Sequence, residues 1–340
     1  MVRVGIIGAS GYTGAELLRI ASQHPDYEVV VATGDTQAGT LAASLYPSLA
    51  VTYPNLVFTE FDLAAVEGLD LVFLGLPHEA SMELAPQLVG RVGCVVDLSA
   101  AYRLKDASLY PTWYGFEHDQ PELLAEAIYG LPELFRSELK GARLIATPGC
   151  HVTAASLALQ PLVNQGIIST TGVIVNNATG ISGAGRALKH SSMFCTVDEN
   201  YEAYGLIDHR HTPEIEQVVG AQVLFTPHLA PMNRGIFSTC YARPADGVKV
   251  TTESLLATLA RAYANEPFVV VRPTPPATKA TLGTNAVHLS ARYDARTGAV
   301  VVLCALDNLA KGASGGAVQA ANVALGLPET AGLATVGLYP

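Results

Sequence analysis

Apolar residues recur along this chain in two rhythms. Residues 2–7 (VRVGII) form a β-branched apolar run and 28–32 (EVVVA) read as a second strand, while 70–74 (DLVFL) and 94–97 (CVVD) have the pattern of strands buried on both faces. Segments of helical character lie between them, Glu16 to Ala21 and residues around 79–89. Apolar strands alternating with helices predict a parallel sheet covered on both sides, the doubly wound Rossmann-type arrangement.

Past residue 150 the rhythm changes. A helical run at 152–163 (VTAASLALQPLV) precedes VIVNNATG at 173–180 and a Gly/Ser segment, ISGAGRALKHSS, at 181–192. Strands are predicted at 222–226, 236–242, 268–271, 286–293 and 299–305, several of them alternating or hairpin-like, which points to an antiparallel or mixed sheet. Pro-rich residues 273–276 read as a loop, and Gly315 to Leu325 as an Ala-rich helix returning to the first domain. The expected fold class is α/β. A Rossmann-type domain takes residues 1–149 with 312–340, and an α+β mixed-sheet domain for substrate binding and oligomerisation takes 150–311.

Composition narrows the function classes. The chain has 340 residues, of which 49% are hydrophobic and 15% charged, enough to bury the cores of two domains. A net charge of -10 argues against nonspecific nucleic-acid binding, which needs a basic face. The first apolar run stops at Gly8, too soon for a signal-peptide core, and no stretch approaches a membrane span. Five scattered cysteines without a CxxC pair disfavour disulfides and structural zinc and fit a cytoplasmic setting.

Three motifs carry chemistry. The first is GASGYTG, residues 8–14, between a strand and a helix. Its glycines let the backbone turn tightly and approach a pyrophosphate, with helix N–H groups facing the anion. Asp35 follows Gly14 by 21 positions, where an acidic residue bonds the ribose 2′-hydroxyl and disfavours a 2′-phosphate; Thr33 and Thr36 offer hydroxyls to a phosphate instead. The second motif is TPGCHVT at 147–153. Cys150 there combines a turn with a helix start, which lowers a thiol pKa. Cys94, Cys240 and Cys304 read as buried packing residues, and Cys195 is undecided. The third is HRHTPEIEQ at 209–217. Thr212 is the expected N-cap, with Pro213 first in the helix and Glu214 and Glu216 in its first turn, so His209 and His211 fall in the entering loop. A capping-loop role with no chemistry competes evenly with acid/base chemistry. No third ligand stands at metal spacing, and no metal is expected. Arg103 and Arg186 are either anion ligands or ordinary surface arginines.

These segments in order resemble the N-acetyl-γ-glutamyl-phosphate reductase family, relatives of aspartate-semialdehyde dehydrogenases. The likeness runs through GASGYTGAELLR (8–19), DLSAAYRL (97–104), WYGFEH (113–118), YGLPEL (129–134), TPGCHVTAASLAL (147–159), SGAGR (182–186), HRHTPEIEQ (209–217), FTPHLAPMNRG (225–235), LGTNA (282–286) and DNLAKGASGGAVQ (307–319). SGAGR with HRHTPEI separates this family from aspartate-semialdehyde dehydrogenases. The resemblance implies an NADP(H) enzyme, a small acyl-phosphate substrate and a homotetramer. It makes Cys150 the nucleophile and His211 the acid/base, with His209 as runner-up or substrate ligand. Gly8, Ser10, Gly11, Tyr12, Thr13 and Gly14, with Thr33 and Asp35, would hold the cofactor, joined by Ser182, Gly183 and Asn308. Arg103, Ser182, Gly183, Arg186, His209 and Arg234 would hold substrate, and Lys311 would lie near the nicotinamide or the domain junction. Two departures stand out. Gly34-Asp35-Thr36 occupies the position just after the second strand, where Ser or Arg is common in the family, so NAD(H) enters as an alternative. Ala101-Tyr102 replaces a common Asp-Phe.

The implied reaction is reduction of N-acetyl-γ-glutamyl phosphate to N-acetylglutamate 5-semialdehyde and phosphate through a Cys150 thioester. Competing readings are a reductase of carrier-bound aminoadipyl phosphate in lysine biosynthesis, an aspartate-semialdehyde dehydrogenase disfavoured by HRHTPEI, and a non-catalytic nucleotide-binding Rossmann protein.

Overall fold

The computed structural model describes residues 1–339. The chain divides into two compact units, residues 1–148 with 313–333 and residues 149–312 with 334–340.

The first unit is built on six strands: β1 (Val2–Ile7), β2 (Tyr27–Ala32), β3 (Leu71–Leu74), β4 (Cys94–Asp97), β5 (Ile128–Tyr129) and β6 (Leu144–Ala146). They pair in the order β2-β1-β3-β4-β6-β5, all in parallel, as the apolar runs predict. The first four lie within one residue of their predicted bounds at either end. β5 and β6 were not foreseen: at two and three residues they are too short to carry a periodic signal, and pairing of β6 with β4 and of β5 with β6 defines them. Helix α1 (Tyr12–Ala21) begins four residues before Glu16, because the Gly-rich turn ends at Gly11, whose extended backbone forms the N-cap. Its buried positions Gly14, Leu17, Leu18 and Ala21 follow the three-four spacing of a helix laid on a sheet. Leu17, Leu18 and Ala21 join Val4, Ile6, Leu71, Phe73, Val96 and Ala317, Val318, Ala320 and Ala321 of the C-terminal helix Gly315–Ala324 in one core. On the other face α2 (His78–Leu88) buries Leu84, Ala85 and Leu88 against Ile7, Val72, Leu74 and Val95. The C-terminal segment is tied down by polar bonds as well. Arg136 grips Glu329 bidentately at 3.0 Å, and Asn322 accepts from Tyr27 Oη at 3.0 Å.

The second unit carries seven strands: β7 (Val173–Gly180), β8 (Glu202–Ala203), β9 (Val223–Ala230), β10 (Ile236–Ala242), β11 (Val269–Val271), β12 (Val287–Asp294) and β13 (Ala299–Leu306). Their order is β11-β12-β13-β10-β7-β9-β8. The sheet is mixed: β7 with β9 and β11 with β12 run parallel, the other pairs antiparallel. Helix α3 (Cys150–Asn164), α4 (His211–Val219) and α5 (Thr252–Ala262) accompany it. α3 is buried through most of its length. Residues 334–339 also belong to this unit: Asn285 N–H donates to the Ala334 carbonyl and Leu338 N–H to the Leu282 carbonyl. Nothing in their composition announces that contact. No helix among the described residues is long and apolar enough to cross a membrane.

Candidate active site

The Gly-rich loop of the first unit has the geometry its sequence suggests. Gly8 sits at φ +83, where a Cβ would fall 2.4 Å from the Gly75 carbonyl oxygen, and a Cβ on Gly14 would fall 2.4 Å from Ala9 Cα. Only glycine fits at these two positions, and the first-turn N–H groups of α1 are the donors every helix start offers. Ser10 and Thr33 turn inward. Thr33 Oγ1 accepts from Gly8 N–H at 3.1 Å, and Ser10 Oγ donates to the Gly34 carbonyl at 3.0 Å. Tyr12 is exposed, and Thr13 accepts through its carbonyl from Ser314 Oγ at 2.8 Å. A cavity of about 730 Å³ opens beside the loop, with Gly8, Thr33 and Asp35 in its wall. A pyrophosphate with its adenosine therefore has a cradle, a row of N–H donors and room. Arg103, in the same unit, is buried; its guanidinium donates to the Leu98 carbonyl at 2.9 Å and lies by buried Asp97. Burial raises the Asp97 carboxyl pKa, against Ser99, Ser81 and Arg103, which lower it.

In the second unit Cys150 opens α3, with Gly149 as N-cap. The Gly149 N–H donates to Glu214 Oε1 at 3.0 Å, a buried carboxylate from the first turn of α4. That bond docks the start of α4 against the start of α3. His211 is the first residue of α4, and Arg210 occupies its N-cap. The expected cap at Thr212 is therefore corrected. Arg210 is already in right-handed helical backbone, so the helix starts earlier, and His211 sits on the helix instead of in the loop before it. Its imidazole packs on the backbone that bears Cys150: a Cβ on Gly149 would lie 2.4 Å from His211 Nε2. His209 stays in the loop, its Nδ1 accepting from the His211 N–H at 3.1 Å.

His151, next to the cysteine, completes a group that the linear reading missed. It is buried beside His209 and His211, with ring centroids 5.6 and 5.5 Å away. The three can each bring a nitrogen within 4.8 Å of the others. Asn177 Nδ2 meets His151 Nδ1 at 3.2 Å and Tyr204 Oη meets its Nε2 at 3.0 Å, so both ring nitrogens are engaged. Burial, and then the neighbouring His209, holds the His151 pKa down at about 3. Burial, and then the Arg210 charge, holds His209 at about 4. Both rings are neutral at pH 7. Only the proximity of His151 to Cys150 in sequence hinted at it, because side chains one apart on a helix point different ways.

The remaining anticipated residues of the second unit fall in two places. Asn308 joins Ser182 Oγ at 3.0 Å and accepts from the Gly235 N–H at 2.7 Å, fixing the turn that holds Ser182 and Gly183. Arg186 is exposed, and Lys311 is buried in a π-helical turn, Ala310–Ser314. Arg234 pairs with fully buried Asp307 at 2.9 Å. That carboxylate also accepts from the N–H groups of Gly283, Leu309 and Ala310, a role nothing in the sequence marked.

Residues 3–142 match the semialdehyde dehydrogenase NAD binding domain family and residues 150–308 the semialdehyde dehydrogenase dimerisation domain family. Three relatives are named N-acetyl-gamma-glutamyl-phosphate reductase. The protein from Pelotomaculum thermopropionicum is 47% identical and that from Symbiobacterium thermophilum 45%, each match covering 100% of this chain and 99% of the relative. The Geobacter sulfurreducens protein is 44% identical, with all of both chains covered. The chain belongs to the N-acetyl-gamma-glutamyl-phosphate reductase family. Solved structures resemble it in fold at low identity. Aspartate semialdehyde dehydrogenase II from Vibrio cholerae gives a TM-score of 0.70 at 16% identity over 95% of this chain and 98% of its own. The Candida albicans enzyme, solved with NADP, gives 0.69 at 17% over 95% and 98%. The Gly8–Gly14 loop lies in the stretch that matches the NAD binding domain, and Cys150 and His211 lie in the stretch that matches the dimerisation domain.

Proposed function

We propose that this protein reduces N-acetyl-γ-glutamyl phosphate to N-acetylglutamate 5-semialdehyde and phosphate, with Cys150 as nucleophile and His211 as acid/base. The observation that carries the reading is the His211 ring lying on Gly149, directly before a cysteine that opens a fifteen-residue helix. A thiol at a helix start is acidified by the helix dipole, and an adjacent imidazole takes its proton. The Cys150 thiolate attacks the acyl carbon, a C–S bond forms and the C–O bond to phosphate breaks, leaving a thioester. When bound, the reduced dinucleotide supplies the hydride that this carbon accepts. His211 then protonates the resulting thiohemiacetal oxygen or holds its proton, and scission of the C–S bond frees the aldehyde and regenerates the thiolate. Backbone N–H groups in the first turn of α3 are suited to the oxyanion.

His211 is chosen over His209 for its place against Gly149, and His209 is set aside on proton affinity. General acid/base work wants a pKa near the working pH, and a His209 held at about 4 is a neutral hydrogen-bonding group, suited to orienting substrate. Arg103, Arg186 and Arg234, with Ser182 and Gly183, are the proposed ligands of the substrate's phosphate and carboxylate. The cofactor is a nicotinamide dinucleotide held by the Gly8–Gly14 loop; family resemblance implies NADP(H), whereas Asp35 argues for NAD(H). A homotetramer accords with an uncovered row across the seven-stranded sheet. Leu224, Ile174 and Tyr241, direct neighbours in register, are exposed on one face. Five free cysteines accord with a cytoplasmic location.

The test is oxidation of N-acetylglutamate 5-semialdehyde followed by absorbance of the reduced cofactor, with and without phosphate. Activity should require phosphate and vanish in Cys150→Ser, while dinucleotide binding stays within about twofold. Phosphate-independent turnover, or activity retained by Cys150→Ser, would refute the proposal.

A further inference from the structure

NAD and NADP differ by one group, a phosphate on the adenosine 2′ oxygen. In a doubly wound sheet that oxygen meets the residues just past the second strand. Here the cavity beside the Gly8–Gly14 loop has three carboxylates in its wall, Asp35, Glu60 and Glu83, and no Lys or Arg. The absence of cations extends beyond the cavity. Between Arg19 and Arg91 the sequence contains no Lys or Arg, against nine Asp and Glu. This stretch supplies β2, the turn after it, β3 and α2, which are the elements a Rossmann sheet turns toward adenosine. Arg19 itself is engaged by Glu16 at 2.8 Å.

Two of the local hydroxyls are committed as well. Thr33 Oγ1 receives the Gly8 N–H, and Ser10 Oγ donates to Gly34. Asp35 stands in left-handed backbone (φ 45) at the head of a tight turn, closed by Gln37 N–H to Gly34 and Ala38 N–H to Asp35. Asp and Asn tolerate that conformation, so the position suits a short acidic side chain.

We propose that this pocket selects NAD(H) over NADP(H): Asp35 accepts a hydrogen bond from the free ribose 2′-hydroxyl, and Asp35, Glu60 and Glu83 repel a 2′-phosphate. The inference rests on the reading of the protein as a nicotinamide-dependent reductase and names its dinucleotide. A 2′-phosphate adds nearly two negative charges at neutral pH. It would enter a site with three like charges and no cation to neutralise it.

The experiment measures dissociation constants of NADH and NADPH for the full-length protein by fluorescence titration, with kcat/KM for both cofactors in the phosphate-dependent reaction. NADH should bind at least tenfold more tightly. Asp35→Asn, which keeps the turn, and Asp35→Ser should each narrow that ratio by tenfold or more, chiefly by improving NADPH. Adding Glu60→Gln should narrow it further, and raised salt should narrow it in the wild type. Tighter NADPH binding in the wild type, with phosphate-dependent turnover intact, would overturn the selection and leave the reductase reading standing. A ratio unchanged within twofold in both Asp35 variants would overturn the role of Asp35. Folded protein that binds neither dinucleotide would refute the inference together with the reading beneath it.

Discussion

The most exacting test of the proposed chemistry is a single methyl group, Gly149→Ala. Gly149 lies at φ -64 and ψ 143, backbone that alanine adopts freely, so the substitution brings no conformational strain. Its effect is steric. The new Cβ would fall 2.4 Å from His211 Nε2 and 2.7 Å from both Cδ2 and Cε1, where ordinary contact begins at 3.4 Å. The imidazole must withdraw by about 1 Å, and a 1 Å misplacement of a reacting group costs on the order of 10²-fold in rate, or roughly 2.7 kcal/mol of barrier. The fold has less to lose. An alanine N-cap is worse than glycine by about 1 kcal/mol at most, and the N–H of residue 149 still has Glu214 to meet. The assay pairs kcat with the rate of Cys150 alkylation by iodoacetamide across pH 6–9. The expected result is a kcat lower by about 10²-fold, a KM within a fewfold of wild type, unchanged dinucleotide binding, and alkylation shifted to higher pH as the thiol loses its partner. A kcat within threefold of wild type would refute the placement of His211 as acid/base, whatever happened to stability.

Two further expectations follow from features outside the reaction. His151 and His209 have folded pKa values of about 3 and 4, below the ~6.5 of an unfolded histidine. Their contribution is complete above that value and is lost as pH falls from about 6.5 toward 3–4, each by up to about 1.4 kcal/mol per pH unit. Urea unfolding at pH 7.0, 6.0 and 5.0 should show declining stability, with a shallower slope in His151→Gln; an equal slope would refute the assignment. Leu224→Glu, on the uncovered face of the seven-stranded sheet, should shift the protein to a smaller species in analytical ultracentrifugation without loss of secondary structure; an unchanged mass would remove that face from the assembly.

Much of the first unit could be read from its sequence because parallel strands buried on both faces must be apolar throughout. Val4, Ile6, Val72, Phe73, Val95 and Val96 are all buried, and a run of such residues between turn glycines has few other uses. Cys150 was recognisable for a local reason, a turn followed by a helix start. The residues that escaped notice act at a distance. Glu214 was placed in the first turn of its helix, and that location holds; its bond to Gly149, 65 positions away, has no local signature. His151 lies 58 positions from His209, and only the docking of α4 on α3 brings them together. Thr212 failed as a cap because cap preference is worth about 1 kcal/mol, less than the packing that fixes where α4 begins.

The core of the first unit is assembled from the two ends of the chain. Val4, Leu18 and Phe73 close against Ala317, Val318 and Ala321, and His24 and Tyr27 reach across to Asn322. On the ribosome the N-terminal 148 residues emerge first yet wait for residues 313–333 to finish that core. At 5–20 residues per second the wait is roughly 10–40 s. During it one face of the six-stranded parallel sheet has α1 but lacks the C-terminal helix that completes its cover, while residues 149–312 are being added. Nascent chains of this protein therefore present a long-lived apolar surface in their N-terminal half, the kind of surface that general chaperones hold, and a message truncated before codon 313 yields a first unit that cannot close.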